Sequence, residues 1–231
     1  MIIGGLEPLT LIDFPGKVAA IAFTAGCNMR CGYCYNWDLV LPEKIQQNKN
    51  ISEDDFYAFL ETRQGLLDGV VISGGEPTVH PDLEDFILNI RDLGFDIKLD
   101  TNGTHPEVLQ HLLKEKLLDY VAIDIKAAPD KYTELTHLEG AFKKIKQSIS
   151  LLKKSGIPYE FRTTYIKGFH DESDVEAITQ ICEGCPQYTI QNFQRTQTLD
   201  PKFEQYTGFS TSERQHFKNI AQKHIENVVI L

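Results

Sequence analysis

Apolar positions along this chain recur with two periods that take turns. Runs of strand length occur at 17–24, 69–73, 95–99, 120–125, 159–165 and 188–193. Between them lie stretches with helical spacing, at 53–63, 83–93, 106–116, 141–155, 172–182 and 212–225. Start signals support the helices: Ser52 precedes the first as a cap, and Pro81-Asp82 leads into the second. In 141–155, Phe142, Ile145, Ile149 and Leu152 fall on one face, while Lys143, Lys144, Lys146, Lys153 and Lys154 ride on the other. Those lysines read as a solvated face, with a docking patch as the competing reading.

Strands alternating with helices predict βαβ units and a parallel sheet. Six βα units are two short of a complete barrel. The expected fold is therefore α/β, a partial (β/α)6 TIM-like barrel open on one side. A Rossmann-like open sheet is the alternative, weakened by the lack of G-x-G-x-x-G after the first strand. One domain over 1–231 is expected, with a turn-rich extension at 1–16, a barrel core at 17–193, and a C-terminal loop, helix and apolar tail at 194–231. Within the extension, Asp13-Phe14-Pro15-Gly16 reads as a turn. Residues 194–208 read as a long loop.

Bulk properties narrow the function. A chain of 231 residues with 42% hydrophobic and 24% charged positions can bury a full core. Its formal charge of −10 argues against binding a phosphate backbone, so no nucleic-acid partner is expected. The start, Met1-Ile2-Ile3-Gly4-Gly5-Leu6-Glu7, lacks the basic segment of a signal peptide, and no apolar run is long enough to span a bilayer. The expected location is the cytoplasm.

The chemistry concentrates where the first strand ends. Thr24-Ala25-Gly26-Cys27-Asn28-Met29-Arg30-Cys31-Gly32-Tyr33-Cys34 holds three of the five cysteines as C-x3-C-x2-C. Thiolates are soft ligands for zinc or iron–sulfur centres. Three of them leave one coordination position open, whereas structural zinc sites and most iron–sulfur cubanes take four protein ligands. A zinc site closed by Cys31, Cys34, Cys182 and Cys185 is the competing reading, but it leaves Cys27 over. A thioredoxin-like use of Cys31 and Cys34 leaves Cys27 over as well. Cys182 and Cys185, followed by Pro186, read as two partly buried thiols with a minor redox role as the alternative. The seven histidines show no metal-ligand spacing, and His105, His137 and His170 fall in loops or at helix ends.

Other unusual residues recur after the remaining strands. Gly74-Gly75-Glu76-Pro77 follows the second, and Thr101-Asn102-Gly103 follows the third. Asp124 and Lys126, two apart and therefore on one side of a strand, end the fourth. Buried charges of this kind pair with each other, with a ligand or with an ion. Arg162 lies late in the fifth strand, where its guanidinium suits a carboxylate or an internal ion pair. Gln191 and Asn192 lie late in the sixth. In parallel α/β barrels the C-terminal strand ends share the face that carries the chemistry.

The loop Gly26–Cys34 resembles that of the radical S-adenosylmethionine (SAM) enzymes. The resemblance implies that Cys27, Cys31 and Cys34 hold a [4Fe-4S] cluster whose fourth iron is chelated by SAM. It places Tyr33 near the adenine and the Gly74-Gly75-Glu76 motif at the SAM amino group. Thr101 and Asn102 would line the SAM pocket. Asp124-x-Lys126 resembles the glycyl-radical-enzyme activases, where the pair lies by the SAM methionine, and Arg162 would meet the SAM carboxylate. The segment Gly5-Leu6-Glu7-Pro8-Leu9-Thr10-Leu11-Ile12-Asp13-Phe14-Pro15-Gly16, with Arg162-Thr163-Thr164, resembles the anaerobic ribonucleoside-triphosphate reductase activating proteins. That implies a glycyl radical enzyme as partner and a reduced flavodoxin or ferredoxin-like electron donor. A minimal barrel with an open lateral mouth would admit a protein loop. Tyr35-Asn36 departs from the His-Asn frequent at this place in the family, which leaves the partner less defined. Two competing functions remain: a radical SAM enzyme acting on a small molecule, similar to 7-carboxy-7-deazaguanine synthase, and a zinc-binding interaction module.

Overall fold

A computed structural model describes residues 1–231 and divides them into two compact units through which the chain passes more than once. The first comprises Met1–Asn28, Asn36–Thr101 and His105–Val121; the second comprises Met29–Tyr35, Asn102–Thr104 and Ala122–Leu231.

In the first unit, β1 (Ile3–Thr10) pairs antiparallel with β2 (Ala19–Thr24). Two short helical segments follow, a 3-10 turn at Trp37–Leu39 and α1 (Pro42–Ile45), and then α2 (Glu53–Glu61). The β3 strand (Gly69–Gly74) runs parallel to β2, with Ala20 beside Val70 and Ile72 beside Leu99 of the next strand. After α3 (Leu83–Asp92), β4 (Asp96–Thr101) extends the parallel set, and α4 (Pro106–Lys114) leads to β5 (Tyr120–Asp124), which continues into the second unit.

The apolar runs without alternation mark strands covered on both faces. On β2, Ala19 and Ile21 pack with Phe14, Val71 and Tyr120, and the opposite-facing Ala20 and Ala22 are buried too. The α3 helix buries Leu83, Phe86, Ile87 and Ile90, each contributing about 1.5–3 kcal/mol of transfer free energy. Ser52 caps α2 as expected, its hydroxyl accepting from the Asp55 N–H at 3.1 Å.

The second unit contains α5 (Tyr132–Thr136), α6 (Ala141–Ser155), β6 (Tyr159–Tyr165), α7 (Glu172–Ile181), β7 (Tyr188–Asn192), α8 (Thr211–Ala221) and β8 (Val228–Ile230). Here β6, β7 and β8 run parallel. Asp171 caps α7 and Ser210 caps α8, each in a reciprocal capping box. The buried side of α6 carries Ile145, Ile149 and Leu152, and its lysines are exposed.

The six βα repeats occur in the predicted order, from β2 with α2 to β7 with α8. Three expectations change. The N-terminal segment is a strand despite Gly4, Gly5 and Pro8. At Gly4 a Cβ would stand 2.3 Å from the tip of the Leu39 side chain, which would have to turn aside. The turn itself is real: Lys17 N–H donates to the Phe14 carbonyl at 3.0 Å across Pro15 and Gly16, whose φ is +76°, the signature of a type II turn. The apolar tail is β8, a parallel partner of β7. Residues 194–208 include a 3-10 turn at Pro201–Gln205 and a buried Thr198. No helix is long and apolar enough to cross a membrane.

Candidate functional site

In the first unit, the segment leading to Cys27 is held by its backbone. Ala25 N–H donates to Ile2 O at 2.9 Å, and Gly26 N–H donates to Leu39 O at 2.7 Å. The Gly26 carbonyl accepts from Glu76 N–H at 2.8 Å, and Thr24 O accepts from Gly75 N–H at 2.8 Å. The Gly74-Gly75-Glu76 motif therefore packs backbone to backbone against the residues that precede Cys27. Gly74 has φ +112°, and a Cβ there would stand 2.4 Å from Thr24 N. These glycines make a close approach to the cysteine loop.

Glu76 is buried, 1% exposed, and a carboxylate so placed needs donors. Its Oε1 accepts from Thr78 N–H at 3.1 Å, from Thr101 Oγ1 at 2.6 Å and from Thr78 Oγ1. The one Thr78 hydroxyl proton is thereby used. His105 Nδ1, 3.0 Å from Thr78 Oγ1, must then carry its own proton and donate it. Thr101 thus supports Glu76. On β4, Lys98 is fully buried and donates to Asp100, whose other oxygen accepts from Ser73 Oγ at 3.3 Å.

In the second unit, Met29–Tyr35 is fixed from both sides. Arg30 N–H donates to Thr136 O at 2.9 Å and Gly32 N–H to Leu135 O at 3.4 Å, both at the end of α5. Asp200 N–H donates to Gly32 O at 2.9 Å, and Leu199 N–H donates to Cys34 O at 3.1 Å. The 194–206 strap therefore holds the Cys31–Cys34 turn, which closes on itself through Cys34 N–H to Cys31 O at 3.0 Å. Gly32 faces Phe203, where a Cβ would clash at 2.2 Å. Cys31 is buried, while Cys27 and Cys34 are half-buried, and none of the five cysteines forms a disulfide. Tyr33 is buried, and burial raises its phenol well above the ordinary range. Tyr35 stacks on Phe193 with centroids 5.7 Å apart and accepts the Gln194 N–H at 2.6 Å through its hydroxyl.

Asp124, Lys126 and Arg162 come together. Arg162 donates to both carboxylate oxygens of Asp124, Nε at 3.1 Å and Nη2 at 3.4 Å. Lys126 Nζ lies 3.4 Å from Asp124 Oδ2. The internal ion pair, one of the two readings of Arg162, is what the structure shows. Burial opposes ionisation of Asp124, but Arg162 and then Lys126 outweigh it and hold its pKa well below the carboxylate range. Burial likewise opposes the Lys126 ammonium, and the Asp124 carboxylate keeps it protonated. Asn102 Oδ1 accepts from Thr104 N–H at 3.0 Å and Thr104 Oγ1 at 2.6 Å, and Ser148 Oγ donates to Gly103 O at 2.7 Å, which fixes that turn against α6.

Two supporting residues escaped the sequence reading. Lys126 lies past the end of β5, so its backbone has no strand partner. Its N–H donates to Tyr132 Oη at 3.2 Å, and its carbonyl accepts from His170 Nε2 at 3.2 Å. His170 Nδ1 accepts the Ile166 N–H at 3.0 Å, which fixes the tautomer with the proton on Nε2. Burial pushes its pKa down to about 4, so it is neutral. A lone loop histidine carries no sequence signal for such a role. Cys182 and Cys185 are buried thiols, as read; burial raises Cys185 to about 12, and its Sγ donates to Gln187 O at 3.3 Å.

Parallel βα repeats with these motifs at the strand ends define a radical SAM enzyme. The Radical SAM superfamily model matches residues 21–181, and the chain belongs to that superfamily. Its cofactors are those of the family, a [4Fe-4S] cluster and SAM. A Methanocaldococcus jannaschii protein provisionally named a glycyl-radical enzyme activating enzyme is 38% identical, over 99% of this chain and 95% of that protein. The GTP 3′,8-cyclase of Aquifex aeolicus is 29% identical, over 71% of this chain and 52% of that one. Among solved structures, Streptococcus suis SuiB bound to S-adenosylmethionine superposes with a TM-score of 0.70 at 16% identity, over 91% of this chain. The chain spans about half the length of SuiB, 49%, and the likeness there is one of fold.

Proposed function

We propose that this protein is a glycyl-radical-enzyme activase, a single radical SAM domain whose partner is an anaerobic ribonucleoside-triphosphate reductase. The observation that carries this reading is the 38% identity to the M. jannaschii protein along almost the whole of both chains. The segment Gly5–Gly16 and Arg162-Thr163-Thr164 add the narrower resemblance. The likeness to the cyclase is lower and spans about half of that protein.

The residues suit the two cofactors. Cys27, Cys31 and Cys34 offer three thiolates and leave one iron for another ligand. The buried Glu76 carboxylate suits an ammonium group, with the backbone of Gly74 and Gly75 holding it in place. The Lys126 ammonium and the Arg162 guanidinium, side chains already ordered by Asp124, are donors that suit a carboxylate. The family resemblance adds Tyr33, Thr101 and Asn102 as SAM contacts. When bound, the cluster and SAM supply a hydrogen-abstracting 5′-deoxyadenosyl radical. The protein's work is to orient the cofactor and keep out water. Lys126, held by Tyr132 and His170, and Arg162, clamped by Asp124, keep their charges where a methionyl carboxylate would lie. The electron comes from a reduced flavodoxin or ferredoxin-like donor.

The test uses partner enzyme whose glycines carry deuterium on the α-carbon. Under anaerobic, reducing conditions with SAM, one deuterium should appear in each 5′-deoxyadenosine formed. Deoxyadenosine without deuterium, formed equally when the partner is omitted, would exclude the activase reading.

A further inference from the structure

Helix α6 departs from the charge pattern of the rest of the chain. Residues 137–156 hold five lysines and one acid, Glu139, in a protein whose formal charge is −10. Every other α-helix places an acidic residue in its first turn, where the helix dipole favours it. The first turn of α6 has none. It carries Lys143 and Lys144 instead, behind Gly140, which offers no capping side chain. These cations oppose the dipole, and Lys146, three residues past Lys143, sets like charges side by side. Elsewhere such charges are neutralised: Lys17, Lys126, Lys131, Lys167 and Lys223 each meet a carboxylate. Lys143, Lys144 and Lys146 are exposed and meet none. Nothing in the fold uses their charge, so its use lies with a partner of opposite sign. This end of α6 is tied to the cysteine turn. Phe142 packs on Tyr132 of α5, with ring centroids 5.6 Å apart, and the Leu135 and Thr136 carbonyls that end α5 accept from Gly32 and Arg30 N–H. Through α5, the lysine face backs the Cys31–Cys34 turn.

We propose that Lys143, Lys144 and Lys146 form the docking surface for the reaction's electron donor, a redox protein with an acidic face. This rests on the function proposed above and adds to it the place where the donor lands. One electron leaves the donor, which is oxidised, and reduces the cluster at the cysteines; no proton or other group is transferred. Charge complementarity sets the sign of the docking face. Contact with the cysteine turn selects the donor over the partner enzyme, because the electron enters at the cysteines whereas the partner's glycine must meet SAM. Opposite charges speed the encounter and are screened by salt, so the surface acts on the rate of reduction rather than on folding.

The test compares the cluster-loaded wild type with the triple variant Lys143→Gln, Lys144→Gln, Lys146→Gln. Cluster reduction is followed at low and high salt with a reduced acidic flavodoxin and, separately, with dithionite, a small reductant that needs no docking surface. At low salt the variant's second-order rate constant with flavodoxin should fall about tenfold, and most of its salt dependence should vanish. With dithionite the two proteins should be reduced at similar rates and release equal 5′-deoxyadenosine from SAM. The variant should unfold at the wild-type temperature or above it, since charges that oppose the dipole are gone. An unaltered flavodoxin rate would overturn the proposal. So would an equal loss with dithionite, which places the effect at the cluster, or a lower unfolding temperature, which gives the lysines to the fold. Unchanged reduction with weaker glycyl radical formation on the partner would overturn it by giving the surface to that enzyme. A wild type without a cluster would show itself before any donor is added, and would refute the radical SAM reading as well.

Discussion

Gly75 lies so close to Gly26 that a Cβ on Gly75 would stand 2.1 Å from the Gly26 carbonyl oxygen. Gly26 immediately precedes Cys27, so the glycine pair after β3 shapes the cysteine loop before any ligand is considered. Glu76 N–H then donates to that same carbonyl at 2.8 Å. The motif that would bind the SAM amino group is thus also a buttress for the first cysteine.

Gly75→Ala tests this. The clash is with backbone, which cannot rotate away, so the variant should lose about 1–3 kcal/mol in urea unfolding. It should also retain less iron after reconstitution. Wild-type stability and iron content would show that the approach is looser than the structure gives.

Asp124 balances two cations, and the consequences of removing each partner differ. Asp124→Ala removes from both Lys126 and Arg162 the carboxylate they share and should cost about 2–4 kcal/mol. Arg162→Ala leaves the Asp124–Lys126 pair in place and should cost less, while weakening SAM binding through the lost guanidinium. Equal stability losses in the two variants would contradict this arrangement.

His170 sets a pH dependence. Burial pushes it down to about 4 in the folded protein from an ordinary value of 6.5. Between those values the unfolded chain binds more protons. Its contribution is therefore complete above pH 6.5 and is lost as the pH falls toward 4, by on the order of 3 kcal/mol. His170→Gln should flatten this limb of the stability curve relative to the wild type. Parallel curves for the two proteins would remove His170 as its source.

The repeats and the strand-end motifs were legible because each is local. A run such as Val70-Val71-Ile72 followed by Gly74-Gly75 carries both its strand and its turn in consecutive residues. What was not legible depends on partners distant in the chain. Ile3–Thr10 forms a strand because β2 accepts it in register, although Gly4, Gly5 and Pro8 argue otherwise. The 194–206 strap gains its role only where Leu199 and Asp200 reach the carbonyls of Cys34 and Gly32. His170 and Tyr132 look ordinary until Lys126, beyond the last ladder bond of β5, needs a donor and an acceptor for its backbone. The sequence reading left Arg162 between a ligand and an ion pair. Geometry supplies the ion pair.

The central claim is that Cys27, Cys31 and Cys34 hold a cluster with one iron left for SAM. The most direct measurement is the EPR spectrum of anaerobically reconstituted, reduced protein, recorded with and without SAM, for the wild type and for alanine variants of each cysteine. The account predicts a [4Fe-4S]⁺ signal that changes on adding SAM in the wild type, and the loss of that cluster and of SAM cleavage in each variant. A colourless wild type that retains zinc, or a variant that keeps both the cluster and SAM cleavage, would contradict it.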